Sequence, residues 1–107
     1  MDLFWLSAKF PKEETYSLTD QMRRSSRSVA ANIAEAWEVR RYEVAFIAKL
    51  IDSAREAAET KNWLLWAKAC GYLADEKCEE LIEIYEGILK TVRGMIKHSA
   101  SWCKNAT

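Results

Sequence analysis

The chain has 107 residues, half of them hydrophobic, and its 16 lysines and arginines balance 16 aspartates and glutamates to a net charge of zero. That length makes a single domain, residues 1–107, with apolar material for one core, and the even balance speaks against a generally basic nucleic-acid binder. Three glycines and one proline leave few turn signals, and no stretch alternates apolar with polar residues over a strand's length, so the composition predicts a few long helices and no sheet.

The first predicted helical segment, residues 2–9, must stop before Pro11, which cannot sit inside a helix. Its opening, MDLFWLSAKF, lacks the basic start of a signal peptide. No segment of the chain approaches the ~20 apolar residues of a membrane span. Three cysteines, an odd number, suit a reducing compartment, so the expected location is the cytoplasm. As a helix this first segment spans only ~12 Å, against ~43 Å for the third.

The second segment, residues 18–36, begins after Ser17, which with Asp20 three residues on reads as a capping box. Leu18, Met22, Val29 and Ile33 recur at helical spacing with Ser25 inside the stripe. Arg23, Arg24 and Arg27 fall beside that stripe, three and four residues apart, and so form one cationic patch. Arg40 and Arg41 follow at the junction. Arginine forks suit phosphate, and helical spacing lets several of them track a nucleic-acid backbone. The competing use is ion pairing: Asp20 with Arg23 and Arg24, Glu38 with Arg41, or acids of another subunit with the rest. Asn32 and Glu35 share a face, where they would bond to the third segment or between subunits.

The third segment, residues 42–70, carries small residues at Ala45, Ala48, Ser53, Ala54, Ala57 and Ala58, which let a neighbouring helix approach closely. Trp63, Leu64, Leu65 and Trp66 near its end cover more than one face, because successive positions lie 100° apart. Trp63 and Trp66 are therefore expected beside the core line, covered by another helix of the bundle or, as the favoured reading, by another subunit. Gly71 ends this segment as a left-handed cap and Tyr72-Leu73 closes a short antiparallel turn. Cys70 and Cys78 flank that turn and are read as free thiols packed like small hydrophobes.

The fourth segment, residues 74–101, steps Leu81, Tyr85, Ile88, Val92 and Met95 by fours and threes, with Ile82, Leu89 and Ile96 widening the stripe. That is a core-facing surface broader than a two-stranded seam. Its first half is acidic and its end basic, the arrangement a helix dipole favours. Lys90, Arg93, Lys97 and Lys104 extend the cationic patch only if this end lies near it.

Two motifs carry a resemblance. FPKEE-x-Y-S-L-T-x-Q-x-R-R, followed by N-I-A-E at residues 32–35, and A-x-x-C-G-Y-L at residues 67–73 resemble the bacterial four-helix-bundle family named for proteins encoded by intervening sequences inside 23S ribosomal RNA genes. That family, sometimes labelled ribosomal, also includes accessory proteins of diversity-generating retroelements. The resemblance runs from about Phe10 to the end of the fourth segment. It implies an up-and-down antiparallel four-helix bundle, often pentameric, with no known catalysis and an association with RNA. The family begins with a longer first helix, so this chain looks shortened there. The glycines that follow N-I-A-E in the family stand here as Ala36 and Glu38, so the second helix runs further or the turn moves to residues 39–41. A Gly-Ser pair of the third helix stands as Arg55-Glu56, which puts bulk and charge where close packing is expected.

Enzymatic chemistry finds little to stand on. His98 has Met95 rather than a glutamate three residues before it, so the Glu-x-x-His pattern of di-iron bundles is missing. The cysteines lack the close pairing of zinc sites, and the glycines cannot form a phosphate-cradling loop. The expectation is a non-catalytic all-α bundle without metal, cofactor or small-molecule substrate. It would form a homo-oligomer, by resemblance a pentamer, and contact RNA or an RNA-associated partner through Arg23, Arg24, Arg27, Arg40 and Arg41. Trp63, Trp66, Asn32 and Glu35 would lie at the subunit interface. The rival expectation is a protein–protein adaptor, for example of a reverse transcriptase, without direct nucleic-acid binding.

Overall fold

The computed structural model of the protein describes residues 18–103. Three long helices, α1 (Asp20–Glu38), α2 (Glu43–Ala69) and α3 (Asp75–Lys97), are followed by the short α4 (Ser99–Cys103). Among the described residues there is no strand, and no helix is long and apolar enough to cross a membrane. The expected short first helix and Ser17 lie outside the described residues.

The cross-helix bonds fix the direction of packing. Between α1 and α2, Glu35 meets Lys49, Val29 meets Ser53, and Ser25 meets Thr60. One residue number rises as the other falls, so the two helices are antiparallel. Lys61 meets Glu86 and Leu64 meets Cys78 in the same sense between α2 and α3. The chain is an up-and-down, all-α helical bundle with α2 in contact with both α1 and α3.

The turns explain where helices stop. Without glycine near its end, α1 continues to Glu38 and the reversal falls at residues 39–42. There the Val39 amide donates to the Glu35 and Ala36 carbonyls, and the Tyr42 amide to Val39. After α2, Gly71 takes φ +78°, with its N–H donating to Lys68 O at 3.0 Å and that of Tyr72 to Ala67 O at 2.9 Å. This pair of bonds is a Schellman cap, which satisfies carbonyls the helix end would leave bare. The predicted fourth helix is broken once, at His98, whose ψ of 31° ends α3. The buried Ser99 hydroxyl then donates to Glu43 Oε2 at 2.7 Å and pins α4 to the start of α2. At the other end, Thr19 already has helical angles and its side chain caps nothing, so the chain is helical before Asp20, and the expected capping box of Ser17 falls outside the described residues.

Two clusters make the core. Leu18, Met22, Val29, Ala57, Leu64, Leu81, Tyr85 and Leu89 pack towards the Gly71 turn. Phe46, Leu50, Ala36 and Val92 pack towards the residues 39–42 turn, and Ile33 touches both. Phe46, Leu50, Leu64 and Met22 are wholly buried, each stabilising the fold by about 1.5–3 kcal/mol through burial. Polar groups are laced through the α1–α2 contact. Thr60 donates to Ser25 Oγ at 2.8 Å, Ser25 to Met22 O, and Ser53 to Val29 O at 2.9 Å. Each of these buried hydroxyls thus has a partner, as low dielectric surroundings require.

Candidate functional site

The five arginines singled out by the sequence take different roles. Arg24 leans from α1 onto α2, with Nη1 3.3 Å from Glu56 Oε2 and Nη2 3.5 Å from Glu59 Oε2. Its Nε donates to Gln21. Asp20, the partner expected from sequence, is not used by Arg24. Glu56 is only 8% exposed. Burial foremost, and then the neighbouring Glu59, push its carboxyl above the ordinary 4.5, while Arg24 pulls the other way. Arg24 therefore holds the bundle together as an internal partner. The Arg55-Glu56 pair, out of place for close packing by sequence, is accommodated because Arg55 is exposed on Asp52 while Glu56 meets Arg24.

Arg27 and Arg41 are exposed and have no hydrogen bond or ion pair among the described residues. Arg23 is half-buried and partnered. Arg40 is held at the end of the bundle, where Nη1 donates to Trp37 O at 2.9 Å and the guanidinium lies 4.0 Å from the centre of the Trp37 ring. Trp102 of α4 meets Trp37 edge to face, with ring centres 6.0 Å apart. Tyr42, which ends the same turn, is exposed. Of the five arginines, Arg27 on α1 and Arg41 in the turn are therefore the ones left exposed without a partner among the described residues, a smaller cationic surface than the sequence suggested.

The expected interface residues also separate. Glu35 reaches Lys49 of α2 at 2.8 Å, and that hydrogen bond and charge raise the Lys49 amine above its ordinary 10.5. Asn32 bonds within its own helix, donating to the Ser28 carbonyl and hydroxyl. Trp63 packs half-buried against the side of the core, partly covered by the bundle itself, with its Nε1 buried without an acceptor among the described residues. Trp66 is exposed, as is Leu65. The thiols of Cys70 and Cys78 are free, Cys78 packed in the core and donating to Leu64 O, Cys70 exposed. Among the described residues no group of three or more histidines, cysteines or acids is arranged to hold a metal.

A family model described as 23S rRNA-intervening sequence protein matches residues 1–94. The chain belongs to that family. No curated protein and no solved structure matches it. In this chain the motif arginines at 23 and 24 are engaged within the fold, while Arg27 and Arg41 face outward. Sequence reasoning missed Glu56, Glu59 and Lys49 as partners, because any acid or base on a neighbouring helix could have served. It also missed Trp37 and Trp102, which are 65 residues apart and are joined only by the return of α4 to the α1–α2 turn.

Proposed function

We propose that the protein is a cytoplasmic, non-catalytic homo-oligomer that contacts RNA through Arg27, Arg40 and Arg41, with Arg23 at the edge. The observation that carries this reading is the pair of outward arginines, Arg27 and Arg41, that no acid among the described residues neutralises. Each such group gains from contact with a phosphate, and counterion release makes the gain salt-dependent. One copy offers few contacts, so repeated subunits are what turn weak contacts into useful affinity. Family membership implies the oligomer and its number, five, only by resemblance.

The test is a salt titration of binding to 23S ribosomal RNA fragments. Arg27→Ala with Arg41→Ala is expected to flatten the log K against log salt slope by about 1–2. Undetectable binding at low salt, or an unaltered slope in the double variant, refutes RNA contact. The adaptor reading is favoured by one separate observation, the exposed Trp37, Tyr42 and Trp102. Binding to a partner protein that Trp37→Ala abolishes, with no RNA affinity, would support it.

A further inference from the structure

The end of the bundle at the α1–α2 turn carries an aromatic pair that the fold leaves partly uncovered. Trp37, on the last turn of α1, and Trp102, on α4, meet edge to face, with ring centres 6.0 Å apart and planes at 78°. Each is nonetheless 44% exposed, which leaves roughly 100 Å² of mostly apolar surface per ring in water. Rings that served only to close the bundle would turn inward, as the fully buried Phe46 near the start of α2 does.

The pair is also held in place. Ser99, three residues before Trp102, donates to Glu43 Oε2 at 2.7 Å, and Cys103, directly after it, packs against the core. Arg40 lies over Trp37, with its Nη1 donating to Trp37 O at 2.9 Å. A ring fixed in this way takes up a flat ligand with little further ordering cost. Arg40 occupies one face of Trp37. Trp102 is freer: in an edge-to-face pair it gives its partner either an edge or one face, so Trp37 leaves it at least one face unused.

The charges at this end select the ligand. Arg40 spends one of its five N–H donors on Trp37 O. Arg41 follows in the turn, exposed and without a partner among the described residues, and the exposed Lys97 ends α3 just before α4. Among the described residues the acids of this end are Glu43, which Ser99 engages, and the exposed Glu38. The other end of the bundle is the reverse, since α3 opens there with Asp75, Glu76, Glu79 and Glu80 around Lys77. An aromatic face beside unspent cations is what holds an unpaired nucleobase and its phosphates. A duplex stacks its base faces away and offers its backbone instead. A membrane or a flat protein surface would meet coplanar rings best, whereas at 78° one ring takes a base on its face while the other stands as a wall.

We infer that Trp102, braced by Trp37, is a stacking site for an unpaired base of single-stranded RNA, whose flanking phosphates meet Arg40 and Arg41. This rests on the proposed RNA contact and names its form, a preference for single strands and loops over duplex.

The test compares anisotropy titrations of the full chain with a labelled single-stranded RNA and with a blunt duplex of the same sequence at one salt concentration. Wild type is expected to bind the single strand about tenfold tighter or better. Trp102→Ala is expected to weaken single-strand binding about five- to hundredfold. It should leave duplex binding and the log K against log salt slope unchanged, and Trp102→Phe should restore most of the loss. Arg41→Ala instead flattens that slope by about 1. Circular dichroism checks that the variants fold. Photocrosslinking of a 4-thiouridine strand to the wild-type chain, mapped by mass spectrometry, is expected at Trp102 and needs no variant. Undetectable binding of both RNAs at low salt ends the RNA reading and this one together, as does Trp102-dependent binding to anionic vesicles in its place. RNA binding that Trp102→Ala leaves intact, that is equal for strand and duplex, or that crosslinks away from α4 overturns this inference alone.

Discussion

Replacing Arg24 with alanine removes the only cation set against Glu56 among the described residues, and the cost can be worked from the geometry. Removing one member of a fully buried pair costs about 3–5 kcal/mol, and an exposed pair is worth about 0–1 kcal/mol. Here the Arg24 side chain is 47% exposed and that of Glu56 11%, so the cost lies between, at about 2 kcal/mol near neutral pH. For a domain of this length that lowers the melting temperature by about 9 °C. The penalty has a pH signature. Glu56 is held above 4.5 by burial and by Glu59, with Arg24 opposing. A carboxyl raised in the fold supports stability fully below its unfolded value and loses that support as pH rises through the folded value. Removing Arg24 raises the folded value further, so the loss at neutral pH grows while the protein near pH 4.5 is little changed. Urea denaturation of wild type, Arg24→Ala, Glu56→Gln and the double variant at pH 7 and pH 4.5 measures this. The Arg24→Ala penalty should shrink towards zero at pH 4.5 and fall by at least half when Glu56→Gln is already present. An equal penalty in both backgrounds and at both pH values would refute the idea that Arg24 serves Glu56.

Three further outcomes follow from the packing. Phe46→Ala, at a site with no solvent exposure between Leu50, Ala36 and Val92, should cost about 3–5 kcal/mol in urea denaturation; less than about 1 kcal/mol would mean the second cluster is not a core. Gly71→Ala meets no atom within 4 Å, so its cost is the left-handed backbone alone, about 1 kcal/mol by thermal melting. Stability should fall steadily above pH 9: burial raises the Cys78 thiol from 9.0 and the Tyr85 phenol from 10.0, and Glu35 raises Lys49 from 10.5. All three bind protons more tightly folded than unfolded, so their support is complete below those values and lost as pH rises through the raised ones. Tyr85→Phe should flatten the decline above pH 10, the ordinary phenol value; an unchanged profile would place the cause elsewhere.

The fold was legible because helix periodicity and end signals are local. Leu81, Tyr85 and Val92 mark the inner face of α3 by their spacing, and Gly71 marks the cap of α2. The site was less legible because ion pairing between helices depends on azimuth, which no single helix encodes. Arg23, Arg24 and Arg27 read as one patch, yet a hundred degrees per residue sends Arg24 onto α2 and Arg27 past it. An outer stripe of α2, the exposed Val44, Ile51, Ala58 and Leu65 at seven-residue steps, is equally compatible by sequence with an inner packing face. Only the burial of Phe46, Leu50 and Leu64 on the opposite side tells the two stripes apart.

What fixes the azimuth of α1 is therefore what decides which arginines remain for a ligand. A purely aliphatic contact tolerates rotation, since one methyl group replaces another at little cost. The α1–α2 contact does not: turning α1 by the roughly 60° that separates Arg24 from Arg27 on a helix would break Thr60 from Ser25 and Ser53 from Val29 O. Ser53 would then be left without a partner at a cost of about 1–3 kcal/mol, while Ser25 and Thr60 keep the Met22 and Glu56 carbonyls of their own helices; that cost is a sizeable part of a stability of about 5–15 kcal/mol. The small polar residues inside the stripe thus do more than fill space. They hold α1 in the one rotation that gives Arg24 to Glu56, Glu35 to Lys49, and leaves Arg27 outward, so which arginine stays exposed is set by hydroxyls that never touch it.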